Sequence, residues 1–510
     1  MKKSIAGLVL ALAISTPVLA SPLGFTYETV WTHSGSGAEI VAYDSLSERF
    51  FVTNSSNDGL DVINARTGAH ISSVSLGGSP NSVAIKNGIV AVAVEAPTKT
   101  DNGQVMLFNA SEAVNGTPTI HSVTVGALPD MLTFTPDGHR IIVANEGEEK
   151  KGIDPNGTVS IVDISSGINT ATVESIGFTA YDGDEAALNA RGVRIFPNKT
   201  ASQDLEPEYI ALSKDGSKAF VTLQENNTLA IIDLNDTSKA PTLISLGSKD
   251  HSLPGQGIDG SDKDGVNQVN TFNELRGLYQ PDAIASYNVA GKDFFITANE
   301  GDTRDEDKRL SKLTLDPTIF PNAAELQKKG VLGRLKVSSI DGDIDGDGDL
   351  DQLFSYGARS FSIFDEDGQL VWDSGDQIEQ LIIDLFPSFW ADGREDNKGP
   401  EPEGVAILQI MDHWLAFIGL ERSSAVMVFD VTDPNSPFFI DLMANFGDVS
   451  PEGLLTLSSA ESFDDANYLI VANEVSGTTT LYRVSIPEPS VLALFFLGLL
   501  PLGYKQFRRS

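Results

Sequence analysis

Two patterns of carboxylates carry the chemistry this sequence offers. The first recurs where a proline and an acid stand directly ahead of an apolar strand: "LPDMLTF" at 128–134, "EPEYIAL" at 206–212, "QPDAIAS" at 280–286, "GPEPEGVAI" at 399–407 and "SPEGLLT" at 450–456, with "SPNSVAI" at 79–85 as a neutral copy. These runs hold Asp130, Glu208, Asp282, Glu403 and Glu452, and Asn81 in the neutral copy. A second acid follows the next strand of each unit, at Glu95, Glu146, Glu225, Glu300, Glu421 and Glu474. Two antiparallel strands return the chain to its starting end, so both sets are expected around one rim. Like charges within about 4–6 Å push a carboxylate pKa upward, so cations, arginines or protons must compensate them. Arg304, Arg359 and Arg422 are the nearest arginines in sequence for that compensation. A set of hard oxygen ligands suits Ca2+ or Mg2+, so a second divalent metal at the channel mouth is one reading. The other is that the acids hydrogen-bond backbone N–H groups and tie neighbouring units together. The sequence leaves both open.

The other pattern is "DGDIDGDGDLDQ" at 341–352. Counting from Asp343 puts Asp343, Asp345 and Asp347 at loop positions 1, 3 and 5, Gly348 at the sharp turn, and Asp349 and Asp351 at 7 and 9. That is the ligand spacing of a wrapped calcium loop. Phe354 stands where a full EF-hand has its bidentate Glu, and no helix pair flanks the loop. The expectation is a structural calcium loop pinning an insertion.

The elements that position the acids repeat. From 129, "PDMLTFTPDGHRIIVANEGE" runs on to "GTVSIVDI"; from 207, "PEYIALSKDGSKAFVTLQEN" runs on to "TLAIIDL". Asp-Gly in the turns supplies the left-handed backbone a tight hairpin needs. A repeated, hairpin-linked unit of this kind predicts an all-β fold, a β-propeller of four-stranded blades. Counting gives seven, with six or eight as alternatives. Blade starts are expected near 80, 129, 207, 281, 402 and 451, after a first blade that lacks the proline, "AEIVAYDSLSERFFVTN". "FTYETVW" at 25–31 is expected to pair with the last blade and close the ring. The segments 301–352 and 373–399 are the largest extras, the second with Ile378, Leu381, Ile382 and Leu385 at helical spacing.

The 510 residues contain no cysteine, which excludes disulfides, thiolate metal sites and a cysteine nucleophile. The six histidines lie far apart, and no Gly-x-Ser-x-Gly, phosphate-loop or His-Glu-x-x-His run occurs. The formal charge of −36 argues against nonspecific nucleic-acid binding. Residues 1–20 have Lys2, Lys3, an apolar stretch and a small-residue site at Val18-Leu19-Ala20, the pattern of a secretory signal peptide. At the other end, Pro487, Glu488 and Pro489 precede an apolar stretch from Val491 to Tyr504 and then Lys505, Arg508 and Arg509. This three-part tail resembles the PEP-CTERM sorting signal. The resemblance implies processing by an exosortase, transient membrane association through the tail, and delivery to the Gram-negative envelope surface or extracellular matrix. The expected organisation is signal peptide 1–20, propeller 21–486 and sorting tail 487–510.

"YGARSFSIFD" at 356–365, "GPEPEGVAI" with "FIGLERSSAVMVFDVTDP" between 399 and 434, and "LIVANEVSGTTTLY" at 469–482 together resemble the choice-of-anchor I family. The resemblance implies an exported propeller of the quinoprotein and YVTN-repeat class. It does not bring one activity, because some relatives are labelled alkaline phosphatases. The expected function is a monomeric, surface- or matrix-associated calcium-binding module with a ligand-binding or structural role, exopolysaccharide or a small phosphorylated ligand being the candidate partners. The alternative is a metal-dependent phosphatase acting on a small phosphorylated ligand, with metal on the rim carboxylates and phosphate on Arg304, Arg359 or Arg422.

Overall fold

The computed structural model describes residues 23–487, so the signal peptide and all of the sorting tail except Pro487 lie outside the described residues. Seven four-stranded antiparallel sheets follow one another along the chain, joined by one five-stranded sheet. Blade 1 runs from Val41 to Ser75, blade 2 from Pro80 to Ala127, blade 3 from Pro129 to Gly177, and blade 4 from Ile210 to Ser245. Blade 5 takes Ile284–Val289, Lys292–Asn299, Ser360–Asp365 and Leu370–Asp373, and blade 6 runs from Pro402 to Met443. Blade 7 takes its three inner strands from Pro451 to Ser485 and its outer strand from Thr26–Ser34. The expected closure is therefore found: the first strand of the chain seals the last blade and removes an open sheet edge.

The first strand of each blade lies against that of the next, and blade 7 returns to blade 1. This ordering puts all seven first strands around the axis. One buried apolar cluster fills each blade-to-blade interface, for example Val143, Val162, Ala91 and Leu107 between blades 2 and 3. Second strands are buried on both faces, which is why they read as unbroken apolar runs such as Ile89–Val94 rather than as alternating ones.

The fifth sheet in chain order is the main departure from the sequence reading. It combines Ser248–Asp250 and Leu275–Leu278, ahead of blade 5, with Asp307–Arg309, Lys336–Ser338 and Leu353–Ser355, inserted between that blade's second and third strands. Leu275–Leu278 and Leu353–Ser355 pair in parallel. The insertion has its own core around Leu275, Leu310, Leu332 and Leu353. The expected helix is Gln377–Leu385; Ile378 and Ile382 are buried against blades 5 and 6, whereas Leu385 is exposed.

Candidate functional site

The acids after the prolines are aimed by a local irregularity. In blade 6, Pro402 pairs with Leu420 and Val405 with Ile418, so three steps on one strand oppose two on its partner. Blades 3 and 7 repeat this between Pro129 and Leu132 and between Pro451 and Leu454, and blade 2 has a shorter slip between Pro80 and Ser82. These are β-bulges, which re-aim a side chain out of the strand's alternation. In blades 4 and 5 the bonded strand starts three residues past the proline, at Ile210 and Ile284. Gly404 and Gly453, directly after the acids, are required by close approach: a Cβ on Gly404 would run into the Glu452 carbonyl, and one on Gly453 into that of Glu39.

Seven equivalent positions therefore face the axis at one end: Glu39, Asn81, Asp130, Glu208, Asp282, Glu403 and Glu452. Glu39 was missed because blade 1 has no proline. Its equivalence lies in the backbone, where Thr53 N–H donates to Ile40 O as Thr222 N–H does to Tyr209 O and Ala298 N–H to Ala283 O. The second-strand acids stand just outside this ring. Their own N–H groups reach back to the segment before the proline, as Glu146 does to Leu128 O, Glu421 to Glu401 O and Glu474 to Ser450 O.

Compensation differs between the two rings. In the outer ring, Glu95 pairs with Lys99 at 3.2 Å, Glu225 with Arg304 at 3.5 Å, Glu300 with Lys398 at 2.5 Å and Glu421 with Arg422 at 2.8 Å. Glu474 is exposed, and Glu146 makes no ion pair among the described residues, with Lys150 acting on it only at a distance. In the inner ring, Glu39 accepts one bond from Ser55 at 2.8 Å. None of Asp130, Glu208, Asp282, Glu403 and Glu452 has a side-chain hydrogen bond or ion pair among the described residues. Burial is the main cause that pushes Asp130 up to about 7, with Glu39 adding to it. The same cause holds Glu208, Asp282, Glu403 and Glu452 well above the carboxylate range, reinforced by Glu225, Glu300, Glu300 and Glu39 respectively.

The inner acids enclose a chamber of about 170 Å³ lined by Asn81, Asp130, Asp282, Glu300, Glu403 and Glu452. Ile40, Ser82, Met131, Tyr209 and Leu454 form a waist shared with a wider vestibule of about 550 Å³ further along the axis. Ligand oxygens of Asp282, Glu300 and Glu403 lie within 4.8 Å of one another, as do those of Glu300, Glu401 and Glu421.

One sequence expectation changes here. Arg359 is not at the rim: it is 2% exposed and binds Glu379 at 2.7 Å and the carbonyls of Asp259, Glu395 and Asn397. Its backbone has φ 53°, which turns the side chain into the insertion instead of the channel. Glu401, ahead of Pro402, is in the loop and fully buried, with φ 54°, and is bound by Arg394, Arg422 and Lys398. Lys398 and Glu401 were missed because their partners come from other segments; the signal available was their i,i+3 spacing.

The acidic loop lies between Lys336–Ser338 and Leu353–Ser355 of the inserted sheet. Oxygens of Asp343, Asp345 and Asp347 lie within 4.8 Å of one another. Asp349 and Asp351 instead gather with Asp316, which the sequence reading did not include. Backbone bonds bring it there: Leu350 N–H donates to Thr314 O and Asp316 N–H to Leu350 O, both at 3.0 Å. Gly346 and Gly348 N–H groups donate to the Asp343 carboxylate at 2.8 and 3.1 Å, wrapping the chain around it.

A model of the choice-of-anchor I domain matches residues 39–434, more than half of the chain. The chain belongs to the choice-of-anchor I domain family. Membership goes with a surface-anchored or exported β-propeller module, and no helix among the described residues is long and apolar enough to cross a membrane. Relatives include a mesenchyme-specific cell surface glycoprotein of Strongylocentrotus purpuratus, 27% identical over 59% of this chain and 43% of its own length. Gigasin-3a of Magallana gigas is 26% identical over 32% of this chain and 71% of its own length. Among solved structures, Kuenenia stuttgartiensis hydrazine synthase superposes with a TM-score of 0.48 at 13% identity, covering 88% of this chain and 96% of that one. The Swd1 propeller of Myceliophteria thermophila gives 0.47 at 9% identity, covering 90% and 100%.

The matched part of the choice-of-anchor I domain takes in the acidic loop and the rim from Glu39 to Glu421. Glu452 and Glu474 of blade 7 lie beyond it.

Proposed function

We propose that this choice-of-anchor I domain is an exported, calcium-stabilised propeller that serves at the cell surface or in the matrix as a noncatalytic ligand-binding or structural module. The observation that carries this is the acidic loop, where three alternate aspartates converge and two glycines let the chain wrap around Asp343. Calcium takes such hard oxygens from a loop of this spacing, and here it would fasten the inserted sheet. The sea urchin relative, named as a cell surface glycoprotein, supports the location. Exopolysaccharide is the partner proposed for the module, and an exosortase the processor of its tail.

The phosphatase reading needs a cation free to hold an anion. Arg304 is bound to Asp204 at 2.7 Å and Glu206 at 2.6 Å, Arg422 to Glu421 and Glu401, and Arg359 is sealed beneath the insertion. No observation favours hydrolysis over binding. The test removes calcium with a chelator, restores it, and follows thermal unfolding together with hydrolysis of phosphate mono- and diesters. Stabilisation of about 2.7 kcal/mol at a hundredfold excess over Kd, without turnover, is the expected result. Turnover that vanishes in E403Q and E421Q would replace this reading with the hydrolase.

A further inference from the structure

We propose that the chamber at the top of the channel is a second cation site, separate from the acidic loop, in which Asp282, Glu300 and Glu403 hold one calcium ion. It deepens the calcium reading above but does not depend on the loop binding metal.

Three observations converge on it. The three carboxylates come from neighbouring blades, with Asp282 ahead of blade 5's first strand, Glu300 after its second, and Glu403 on the bulge of blade 6, and their ligand oxygens fall within 4.8 Å of one another. Oxygens bound to one calcium at about 2.4 Å can be at most about 4.8 Å apart, so this spacing fits a shared ion of that size.

The second observation concerns unpartnered groups. Glu208, 7% exposed, stands at the equivalent ring position in blade 4, close enough for the Asp282 carboxylate to act on it, and its Oε2 has no hydrogen-bond partner. Glu403 Oε2 and Glu452 Oε2 are buried and unpartnered in the same way. A buried acceptor left without a donor costs roughly 1–3 kcal/mol, and more when charged, so a cluster of them calls for a bound counter-charge. Protein cations supply it only in part: Lys398 reaches Glu300 and acts on Asp282 but is shared with Glu401, and Arg304 and Arg422 are taken up by the outer ring.

The third is room. A chamber of about 170 Å³ holds an ion with a few waters, each taking about 30 Å³. Calcium accepts six to eight oxygens and tolerates a mixed shell of carboxylates and water. The absence of histidine from the lining matches a hard cation rather than zinc or copper.

Tyr209 at the waist provides a local probe, because its ring lines the same chamber. Terbium, a calcium-sized lanthanide, luminesces when a nearby tyrosine is excited. The experiment uses the protein carrying D343N, D345N and D347N, so that the loop is silenced. Calorimetric titration with calcium is expected to find one site, lost when D282N and E403Q are added. Terbium excited through tyrosine is expected to emit in the loop-silenced protein, to be displaced by calcium, and to lose most of its emission in Y209F while calcium still binds. Adding D282N and E403Q removes charge repulsion, so unfolding in chelator is expected at a higher temperature than in the parent. If that pair does not fold, the same titration is read on D282N alone, with at least a tenfold loss of affinity expected. No calcium site in the loop-silenced protein, or an unchanged one after D282N and E403Q, would overturn the chamber site and leave the loop reading standing. Binding in the chamber but none in the loop would overturn only the loop.

Discussion

Replacing Glu395 by glutamine should make the protein more stable at pH 8 and leave it unchanged at pH 5. Glu395 and Asp259 are 0% and 1% exposed. Trp390 Nε1–H donates to Glu395 Oε1 at 2.6 Å, and Gln268 N–H to Asp259 Oδ2 at 2.6 Å. Glu395 Oε2 meets no donor and faces the Asp259 carboxyl, a contact that becomes a hydrogen bond only if one of the pair keeps its proton. Burial, ahead of every other cause, pushes Asp259 up to about 6 and Glu395 up to about 9. Both folded values lie above the unfolded ones, so the folded protein holds the extra proton and its advantage is complete only below the unfolded pKa. That advantage falls as pH rises from about 4.5 towards 9. The two acids share one proton and count as one group. Over the three units from pH 5 to pH 8, at ~1.4 kcal/mol per unit, the loss comes to ~4 kcal/mol. Glutamine cannot ionise; its oxygen still accepts from Trp390 and its NH2 donates to Asp259. Urea unfolding at pH 5, 6, 7 and 8, at constant calcium, should show parent and E395Q together at pH 5 and separated by up to ~4 kcal/mol at pH 8. The acids of the rim are common to both proteins and cancel in the difference. Parallel pH profiles, or an E395Q less stable than the parent at pH 8, would refute the shared-proton pair.

R359Q should destabilise by about 3–5 kcal/mol in urea unfolding, because it strands buried Glu379 and removes the donors that hold three carbonyls. G404A should cost on the order of 2 kcal/mol, since its Cβ must displace the Glu452 backbone, whereas G393A, which meets nothing within 4 Å, should be neutral in the same assay. D316N should weaken calcium binding at the acidic loop by on the order of tenfold, measured by calorimetry with the chamber site silenced through D282N and E403Q. Deleting residues 23–34 should uncover the edge of Thr478–Ser485 and give concentration-dependent association in light scattering.

Hairpins with short turns carried most of the fold into view, because pairing inside a blade is local and its apolar runs and Asp-Gly turns are contiguous. The Pro-acid runs marked the inner ring for the same reason: bulge, proline and acid are adjacent in the chain. What escaped depends on contacts made far along it. The inserted sheet is built partly from three-residue strands at 248–250, 307–309, 336–338 and 353–355, too short to show alternation, and two of its strands meet in parallel. Asp316 reaches Asp349 through a single backbone bridge from Leu315 to Leu350. Arg359 was placed by chain proximity, and a left-handed backbone sent it elsewhere.

The two rings differ in charge compensation because of where their counter-ions originate. The inner acids that line the chamber of about 170 Å³ stand on a bulge or just ahead of a first strand, and no basic side chain is among its lining residues. Outer acids stand beside connections, and long connections bring cations: Arg304 follows the second strand of blade 5, and Lys398 and Arg394 end the segment between blades 5 and 6. From that side an ion chain runs outward. Arg304 binds Glu225, Glu206 and Asp204, its N–H donates to Glu306, and Glu306 and Asp341 share Arg194 at 2.6 and 2.9 Å. Phe196 lies between the two guanidinium groups, 4.5 Å from that of Arg194 and 4.7 Å from that of Arg304. Asp341 is two residues from Asp343, so the insertion that supplies Arg304 to the rim also bears the acidic loop. A cation in the proposed loop site would therefore steady Arg304, which pairs Glu225, whereas Asp130, Glu208, Asp282, Glu403 and Glu452, with no ion pair among the described residues, are left to a bound ion or protons.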